Sequence, residues 1–385
     1  MDKDKQHPEY IERFINLGAM LKQKSHFLFG PRQTGKSTLI RHRLPSAKVY
    51  SLLDNTLFLE FNARPGRLKE EVAGKDELVV IDEIQRVPQL LNEVHLLIEK
   101  GVRFLLTGSS ARKLRSGGVN LLGGRAREAY LHPFVTVELG KFFDLNRALN
   151  NGLIPSIYFS DEPKKDLASY VGSYLKTEIS AEALTRNVPA FSRFLGVAAL
   201  CNAKIVNFSN VANDAQVKRT TVYEYFDILK DTLIIRELAA FRKGKIRKPV
   251  CSSKYYFFDA GVARQLQGRI AVTPGTPEYG DAFETFIINE VFAFSDYIRP
   301  LNLSFWRTAT HCEVDLIIDE HIALEIKAKS QIGPDDLKGL KAIAEESRFK
   351  RLICVSLEER PRKTGNIEIL PYQEFLEMLW AGKLC

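Results

Sequence analysis

The sequence predicts an α/β protein: a parallel β-sheet with a helical lid, then a winged helix and a second α/β domain. Three patterns predict this fold class. An apolar strand at 26–29 runs through a glycine-containing loop into a helix-compatible segment, and two further apolar strands each end in polar residues. Residues 281–327 then show a helical pattern followed by three strand patterns. Strands that alternate with helices and end in polar side chains are typical of parallel sheets that bind ligands at their carboxyl edge.

Length and composition are those of a globular protein with several domains. The 385 residues suffice for two to four domains, 45% of them are apolar, and Gly plus Pro make up about a tenth. This composition excludes disordered and collagen-like chains. The longest apolar runs stay short of the ~18 residues that a membrane span needs, and the N-terminus is charged. We therefore expect a cytoplasmic protein without a membrane partner.

The loop after the first strand, from Gly30 to Ser37, fits the pattern GxxxxGK[ST]. Gly30 and Gly35 permit a tight turn whose N–H groups, with the helix N-terminus, can cradle phosphates. Lys36 is then expected at the β- and γ-phosphates, and Ser37 at a Mg²⁺ ion. A glycine-rich surface loop without a ligand is the alternative. The residues expected at the nucleotide are Gly30, Pro31, Arg32, Gln33, Thr34, Gly35, Lys36, Ser37 and Thr38.

Two later strands supply polar residues for the same sheet edge. The strand at 77–81 ends in Asp82 and Glu83. We expect Asp82 to reach the water shell of the metal ion and Glu83 to polarise the attacking water. A third apolar strand leads to Thr107 and Ser109, whose hydroxyls could hydrogen-bond the γ-phosphate or that water.

Two arginines follow a glycine pair further along the chain, at Arg125 and Arg127. Either could act as an arginine finger toward the nucleotide of a neighbouring subunit. The alternative, which is at least as well supported, is that the arginine forms a local ion pair on the surface. Arg125 is the better candidate because it directly follows the glycines.

Together these residues resemble an AAA-type P-loop ATPase. The loop looks like Walker A, residues 78–83 look like Walker B, and residues 107–110 look like the sensor-1 strand end. The segments GPRQTGKST, IDEIQRVPQLL and LLTGSS, with the later GR, are similar to a branch of bacterial and archaeal AAA ATPases that carry a C-terminal domain of unknown function. The resemblance implies ATP and Mg²⁺ as cofactors and catalytic roles for Lys36, Glu83 and Arg125.

The middle of the chain is predominantly helical. Residues 142–200 show helical spacing without visible chemistry, and we expect a lid over the nucleotide or a spacer. Residues 207–229 follow the outline of a helix-turn-helix, with Val222, Phe226 and Leu229 on one face of the second helix. That spacing leaves the opposite face to solvent.

A basic stretch follows the two helices. Strand patterns at 233–238 and 255–258 flank residues 242–254, which include six cations and no acid, within a chain of net charge +8. This order is typical of a winged helix whose wing could bind the DNA backbone while the second helix enters a groove. A packing or protein-binding module is the alternative, since basic loops are often only solvated and Glu224 and Asp227 would repel phosphate.

The C-terminal third carries a second set of candidate site residues. Positions i and i+2 of a strand share a face, so Glu325 and Lys327 should project together, with Asp315 on the adjoining strand beside them. Glu284 on the helical pattern at 281–291 would complete the set. These carboxylates suit Mg²⁺ or Mn²⁺, and Lys327 could orient or deprotonate a metal-bound water.

This second set resembles the PD-(D/E)xK nuclease fold of restriction-endonuclease-like domains. Val314 and Asp315 stand where that family has Pro-Asp. The resemblance implies metal-dependent cleavage of DNA, with Lys327 in a catalytic role. The same fold is also used as a binding platform, and that alternative stays open.

The patterns divide the chain into four parts: an ATPase core at 1–140, a lid or connector at 141–200, a winged helix at 201–270 and a nuclease-like domain at 271–385. The leading hypothesis is ATP hydrolysis coupled to binding, and in its fuller form to cutting, of DNA. The competing hypothesis is a nucleotide-dependent switch that remodels or senses a protein partner. Self-association is compatible with both.

Overall fold

A computed structural model describes residues 8–384 apart from 73, 75–76, 111, 113, 115–121, 176–186 and 242–251. The chain divides into two compact units. The N-terminal unit comprises Met1–Phe134 and Asp231–Ile234, and the C-terminal unit comprises Val135–Lys230 and Ile235–Cys385.

The N-terminal unit contains a five-stranded parallel sheet in the order β2-β3-β4-β1-β5. Its strands are β1 (Ser25–Phe29), β2 (Lys48–Ser51), β3 (Leu78–Asp82), β4 (Arg103–Gly108) and β5 (Ala126–Tyr130). Its helices include α1 (Leu17–Gln23), α2 (Lys36–Arg43), α3 (Asn55–Ala63), α4 (Arg67–Glu71) and α5 (Leu90–Glu99). The strands predicted here from the sequence are confirmed to within two residues at each end.

Strands β1, β3 and β4 are buried along almost their whole length. Phe27 and Phe104 pack into one apolar core, while neighbours such as Leu28 and Leu105, which point to the opposite face, are equally inaccessible. A parallel sheet covered on both faces produces such continuous apolar runs. The polar side chains at the carboxyl ends of β3 and β4, Asp82 and Thr107, belong to the candidate site.

The C-terminal unit begins with helices. Those before the second sheet are α6 (Thr136–Leu139), α7 (Leu145–Asn151), α8 (Pro155–Tyr158), α9 (Pro163–Ser169), α10 (Val188–Leu200), α11 (Phe208–Ala215) and α12 (Arg219–Asp231). A π-helical turn at Tyr170–Leu175 follows α9. The mostly helical pattern predicted for 142–200 is confirmed over the described part of that segment.

Helices α11 and α12 form the predicted helix pair. Asn207 caps α11, because its side chain accepts hydrogen bonds from the N–H groups of the first turn. On α12, Val222, Phe226 and Leu229 are buried as predicted, together with Tyr225 on an adjoining stripe. The opposite face of α12 is exposed.

A second sheet of eight strands forms the centre of the C-terminal unit, in the order β12-β13-β11-β10-β9-β8-β6-β7. Its strands are β6 (Ile235–Ala240), β7 (Lys254–Phe257), β8 (Leu303–Arg307), β9 (Glu313–Ile318), β10 (Ile322–Ile326), β11 (Arg351–Ser356), β12 (Arg362–Thr364) and β13 (Ile367–Pro371). The remaining helices are α13 (Ala260–Leu266), α14 (Pro277–Tyr297), α15 (Lys338–Glu346) and α16 (Tyr372–Trp380).

Strands β6 and β7 pair antiparallel, as expected for strands that flank a wing. However, β6 also pairs parallel with β8, so both strands belong to the same sheet as the strands after residue 300. The sequence patterns predict separate modules for these strands, because periodicity identifies a strand but does not identify its partner. The winged helix stays a prediction.

Both faces of the second sheet are covered. Helix α14 buries its predicted apolar side, including Phe283 and Ile287, against Leu316 and Leu324 of the sheet. On the other face α15 packs Leu340 against β9 and β10. Within the described residues, none of the helices, α14 included, has the length and apolar character needed to cross a bilayer.

Candidate nucleotide site and carboxylate cluster

The predicted phosphate loop connects β1 to α2 at the carboxyl edge of the first sheet. A Cβ added at Gly30 would lie 2.4 Å from the carbonyl oxygen of Leu131, so the close approach of the two backbones requires glycine. Gly35 has a φ of 94°, in the left-handed region that favours glycine. Backbone geometry therefore explains both glycines of the motif.

Lys36 begins α2 and is only 6% exposed. Its Nζ donates hydrogen bonds to the carbonyl oxygens of Gly30, at 2.7 Å, and Pro31, at 3.1 Å. Burial lowers the pKa of Lys36 to about 8, although the charges of Glu83 and Asp82 act in the opposite direction. The ammonium group is therefore still mainly protonated at neutral pH and is held within the loop.

The oxygen donors predicted for Mg²⁺ lie together at the same edge. Ser37 Oγ donates to Asp82 Oδ2 at 3.3 Å, and the hydroxyl of Thr107 donates to the other carboxylate oxygen. These groups come from α2, β3 and β4. Because Mg²⁺ prefers hard oxygen ligands, the donor set fits the predicted ion.

Glu83 follows directly after β3 and is 6% exposed. Its φ of 61° is left-handed, which is uncommon for a residue with a side chain and frequent at functional sites. Gln85 Nε2 donates to its carboxylate and, at 3.2 Å, to Ser109 Oγ. Burial raises the pKa of Glu83, and the positive charge of Lys36 opposes that shift.

Gln85 is a site residue that the sequence analysis missed. It is buried, and its amide oxygen packs against Gly108 at the end of β4, where an added Cβ would lie 2.5 Å from it. The sequence feature that could have identified Gln85 is its position two residues after Glu83. Side-chain contact between such close neighbours depends on the unusual backbone at Glu83, which the sequence does not reveal.

Arg13 is a second residue that the sequence analysis missed. Its guanidinium donates to the carbonyl oxygen of Thr34 in the loop at 2.6 Å and to that of His132 after β5 at 2.7 Å. Its side chain also stacks over Phe134, with the guanidinium carbon 5.1 Å from the ring centroid. Arg13 therefore fixes the phosphate loop to the neighbouring strand without needing a ligand.

The other predicted nucleotide contacts lie in the loop or the first turn of α2. Pro31 is buried, Arg32 is half-buried, and Gln33 is exposed with a left-handed φ of 62°. Thr34 is buried and its hydroxyl donates to the carbonyl oxygen of Pro31 at 2.8 Å. Thr38 lies one helical position beyond Ser37.

Arg125 lies away from the phosphate loop of its own chain. It directly precedes β5, whose first residue Ala126 pairs with Ser25 at the start of β1, so it lies at the amino edge of the parallel sheet. Its guanidinium pairs with Glu99 at 2.8 Å. Arg127 likewise contacts Gln23. As an arginine finger, Arg125 would therefore act on the nucleotide of another subunit. This role stays a prediction.

In the C-terminal unit the structure brings Glu284, Asp315, Glu325 and Lys327 to one cavity of about 600 Å³. Strands β9 and β10 pair antiparallel with Leu316 opposite Leu324, which places Asp315 beside the end of β10. Lys327 Nζ lies 2.5 Å from Glu325 Oε1. The spatial arrangement predicted from strand alternation is therefore present.

Lys254 of β7 lies at the centre of this arrangement and was not recognised as a site residue. Its Nζ is 3.1 Å from Glu284, 2.6 Å from Glu313 and 3.7 Å from Asp315. Tyr256, two residues further along the strand, donates its hydroxyl to Glu284 at 2.7 Å. We refer to Glu284, Glu313, Asp315 and Glu325 as the carboxylate cluster.

Burial raises the pKa of Glu284 to about 7, with Lys254 acting against the shift, and it raises that of Glu325 well above its ordinary value. Burial acts to lower the pKa of Lys254, but the carboxylates around it, Glu284 foremost, hold it well above its ordinary value. Over the residues that the structure describes, no group of three or more His, Cys, Asp or Glu side chains is arranged to hold a metal ion.

The predicted DNA-binding surface is only partly described. Arg219, Thr220 and Tyr223 are exposed on α12, where Arg219 donates to the Tyr223 hydroxyl at 2.9 Å. Five of the six basic residues predicted for the wing, Arg242, Lys243, Lys245, Arg247 and Lys248, lie outside the described residues. The sixth, Lys254, is only 2% exposed and pairs with carboxylates, so its assignment to a basic surface is wrong.

Family comparisons match three successive regions. Residues 22–140 match the model described as an AAA domain, and residues 143–272 and 279–375 match two domains of unknown function, DUF8612 and DUF4143. Uncharacterized proteins of Mycobacterium bovis and Mycobacterium tuberculosis are each 27% identical over 344 residues, which cover 85% of this chain and 75% of theirs.

Similar solved structures include a signal transduction ATPase with numerous domains from Pyrococcus horikoshii, with 12% identity and a TM-score of 0.22. The match covers 73% of this chain and 47% of that one, so this chain spans about half of its length. Can2 from Sulfobacillus thermosulfidooxidans, in complex with cyclic tetra-adenylate, has 9% identity and a TM-score of 0.24, with 94% and 99% of the two chains covered. The family match supports an AAA-type nucleotide-binding domain at residues 22–140.

Proposed function

We propose that the protein binds ATP with Mg²⁺ at the phosphate loop, hydrolyses it, and couples turnover to DNA binding. The observation that carries the ATPase proposal is the convergence of Lys36, Ser37, Asp82 and Glu83 at one sheet edge, joined by the hydrogen bond between Ser37 and Asp82. A surface loop without a ligand would not require a buried lysine and a buried glutamate at its centre.

The residues of this edge divide the work of hydrolysis. The loop N–H groups and the N-terminus of α2 bind phosphate oxygens, and Lys36 neutralises their charge. Ser37 and Asp82 hold Mg²⁺, which when bound neutralises charge on the leaving phosphate. Glu83 accepts a proton from the attacking water, and Thr107 orients Asp82 through its hydroxyl.

Lys36 provides the direct test of nucleotide binding. Its ammonium group leaves the loop carbonyls for the phosphates when ATP binds, exchanging neutral partners for charged ones. Lys36→Ala should therefore weaken ATP affinity by about 10- to 100-fold. Calorimetric titration with ATP and Mg²⁺, together with an assay of phosphate release, measures both binding and turnover.

Lys22→Ala serves as the matched control, because Lys22 is an exposed lysine on α1 in the same unit. It should leave both ATP affinity and turnover unchanged. Equal ATP affinity in Lys36→Ala and wild type would show that the loop is not part of the nucleotide site.

DNA binding is supported by the exposed Arg219 and Tyr223 on the second helix of the α11–α12 pair and by the basic sequence that follows β6. If the basic residues contact phosphates, Lys243→Ala/Lys245→Ala should weaken binding to every DNA sequence. The slope of log K against log salt should fall by about 0.9 for each lost duplex contact. Fluorescence anisotropy at several salt concentrations measures both effects.

The control for this variant is Lys164→Ala/Lys341→Ala, which removes two exposed lysines elsewhere in the C-terminal unit. An unchanged salt slope in the Lys243→Ala/Lys245→Ala variant would mean that these residues contact something other than DNA. Duplex DNA should also change the ATPase rate of the wild-type protein. A rate that DNA leaves unaltered would favour the protein-partner switch over the DNA-coupled ATPase.

A further inference from the structure

We propose that the ammonium group of Lys254 is the resident cation of the carboxylate cluster and takes the place of the divalent metal that a nuclease would use there. The C-terminal module is then a metal-independent binding platform. A metal-dependent nuclease needs carboxylate oxygens that converge on a metal ion. In this chain three of the four, Glu284, Glu313 and Asp315, converge on a lysine, so the arrangement does not fit the predicted Mg²⁺ or Mn²⁺. The inference is independent of ATP hydrolysis.

The distances place Lys254 Nζ between the two elements that would have to share a metal. Glu284 comes from α14, whereas Glu313 and Asp315 come from β9, and all three have an oxygen within 4 Å of the same ammonium nitrogen. Glu313 lies on the same face of β9 as Asp315, since the two are separated by one residue. A divalent ion bridging α14 and β9 would occupy the volume that this nitrogen fills.

The carboxylate oxygens are also bonded to other protein donors. Glu284 Oε1 accepts from Tyr256 as well as from Lys254. The second oxygen of Glu313 accepts from Arg307 at 2.9 Å. Asp315 Oδ2 accepts from the backbone N–H of Ile326 at 2.8 Å. The bonded oxygens of Glu284, Glu313 and Asp315 would have to give up these protein hydrogen bonds before ligating a metal ion.

Lys254 is fixed in this position by its strand. Its backbone is part of β7, where it pairs with Leu238 of β6 and forms a bridge to Ile205 on the other side. Its Nζ lies 5.5 Å from the centroid of the Phe305 ring. Lys254 is only 2% exposed, so its side chain is enclosed by these neighbours.

Charge balance argues in the same direction. The four carboxylates of the cluster are accompanied by three cationic side chains, those of Lys254, Arg307 and Lys327. A divalent ion would add two further positive charges beside the buried ammonium, which is strongly unfavourable at short distance. Removing Lys254 would take the paired cation from Glu284 and Asp315, while Glu313 would keep Arg307 and Glu325 would keep Lys327.

One buried carboxylate oxygen in this cavity, Glu325 Oε2, has no hydrogen-bond partner. A Cβ added at Gly339 would lie 3.2 Å from this oxygen, so α15 closes around it. A single such oxygen supplies one bond to a hydrogen-bond donor, whereas a nuclease metal takes several oxygens. The oxygen therefore suits a hydrogen-bond donor on a docked ligand better than a metal centre.

Manganese binding without nucleotide tests the proposal. The wild-type chain should show no Asp315-dependent binding of Mn²⁺, with or without duplex DNA, as measured by the paramagnetic resonance signal of free Mn²⁺. Lys254→Ala should bind Mn²⁺ at least about tenfold more tightly than wild type, because it vacates the cation position and removes the ion-pair partner of Glu284 and Asp315. Adding Asp315→Asn to Lys254→Ala should remove the gain.

Lys338→Ala is the matched control, since Lys338 is an exposed lysine that lines the same cavity and pairs with Asp335. It should gain no Mn²⁺ affinity. A folded Lys254→Ala variant without increased Mn²⁺ affinity would overturn the proposal. So would tight binding of Mn²⁺ by wild type that Asp315→Asn abolishes, and this comparison decides the matter even where Lys254→Ala fails to fold.

Discussion

Glu83→Gln should lower the rate of ATP hydrolysis by about 10²- to 10⁴-fold while leaving ATP affinity nearly unchanged. The substitution keeps the size of the side chain and the hydrogen bond to Gln85 but removes the group that accepts a proton from water. The loop, Lys36 and the Ser37–Asp82 pair are untouched, so the groups proposed to bind the phosphates and Mg²⁺ are unchanged. Single-turnover hydrolysis and equilibrium binding, measured on the same preparation, separate the two effects.

Glu70→Gln is the matched control, because Glu70 is an exposed carboxylate on α4 of the same unit. It should hydrolyse ATP at the wild-type rate. Wild-type turnover in Glu83→Gln would exclude Glu83 as the proton acceptor. Loss of ATP affinity in the same variant would instead assign it to binding.

The phosphate-loop region could be predicted from the sequence because its signals are local. An apolar strand, two glycines at fixed spacing and a helix follow one another within 20 residues, and each is determined by neighbouring side chains. Asp82 and Glu83 could be predicted as part of the same site, because the strands of a parallel sheet present their ligand-binding residues at the same edge. The order β2-β3-β4-β1-β5 and the contact of Arg13 with the loop depend on partners far apart in the chain.

Lys254 shows why the second site could be predicted only in part. Asp315, Glu325 and Lys327 lie on two consecutive strands, so strand alternation and a short connection suffice to bring them together. Lys254 is separated from Asp315 by 61 residues and follows a run of basic neighbours, which suggested a shared exposed surface. Its real environment depends on the pairing of β6 with both β7 and β8, which no local pattern contains.

Glu290→Ala should lower the free energy of unfolding by about 3–5 kcal/mol, through lost buried hydrogen bonds and a new cavity. Glu290 is 1% exposed and lies on α14. Its carboxylate accepts hydrogen bonds from the backbone N–H and the hydroxyl of Thr136, at 2.8 and 2.9 Å, and from Trp380 Nε1 at 2.7 Å. In the variant, the part-buried donors on α6 and α16 would lose the acceptor that α14 supplies. Urea unfolding followed by circular dichroism measures the change.

The stability that Glu290 contributes should also depend on pH. Burial raises its pKa to about 7, above the ordinary value of 4.5, although the hydrogen bonds from Trp380 and Thr136 act the other way. The folded state therefore holds this proton more tightly than the unfolded state, and the free energy of unfolding falls as pH rises from about 4.5 to about 7. Glu290→Gln, which has no proton to lose, should show a smaller fall over this range than wild type.

Glu377→Ala, on the exposed side of α16, should keep the wild-type stability and pH dependence. An identical pH dependence in Glu290→Gln and wild type would mean that folding leaves the pKa of Glu290 at its ordinary value.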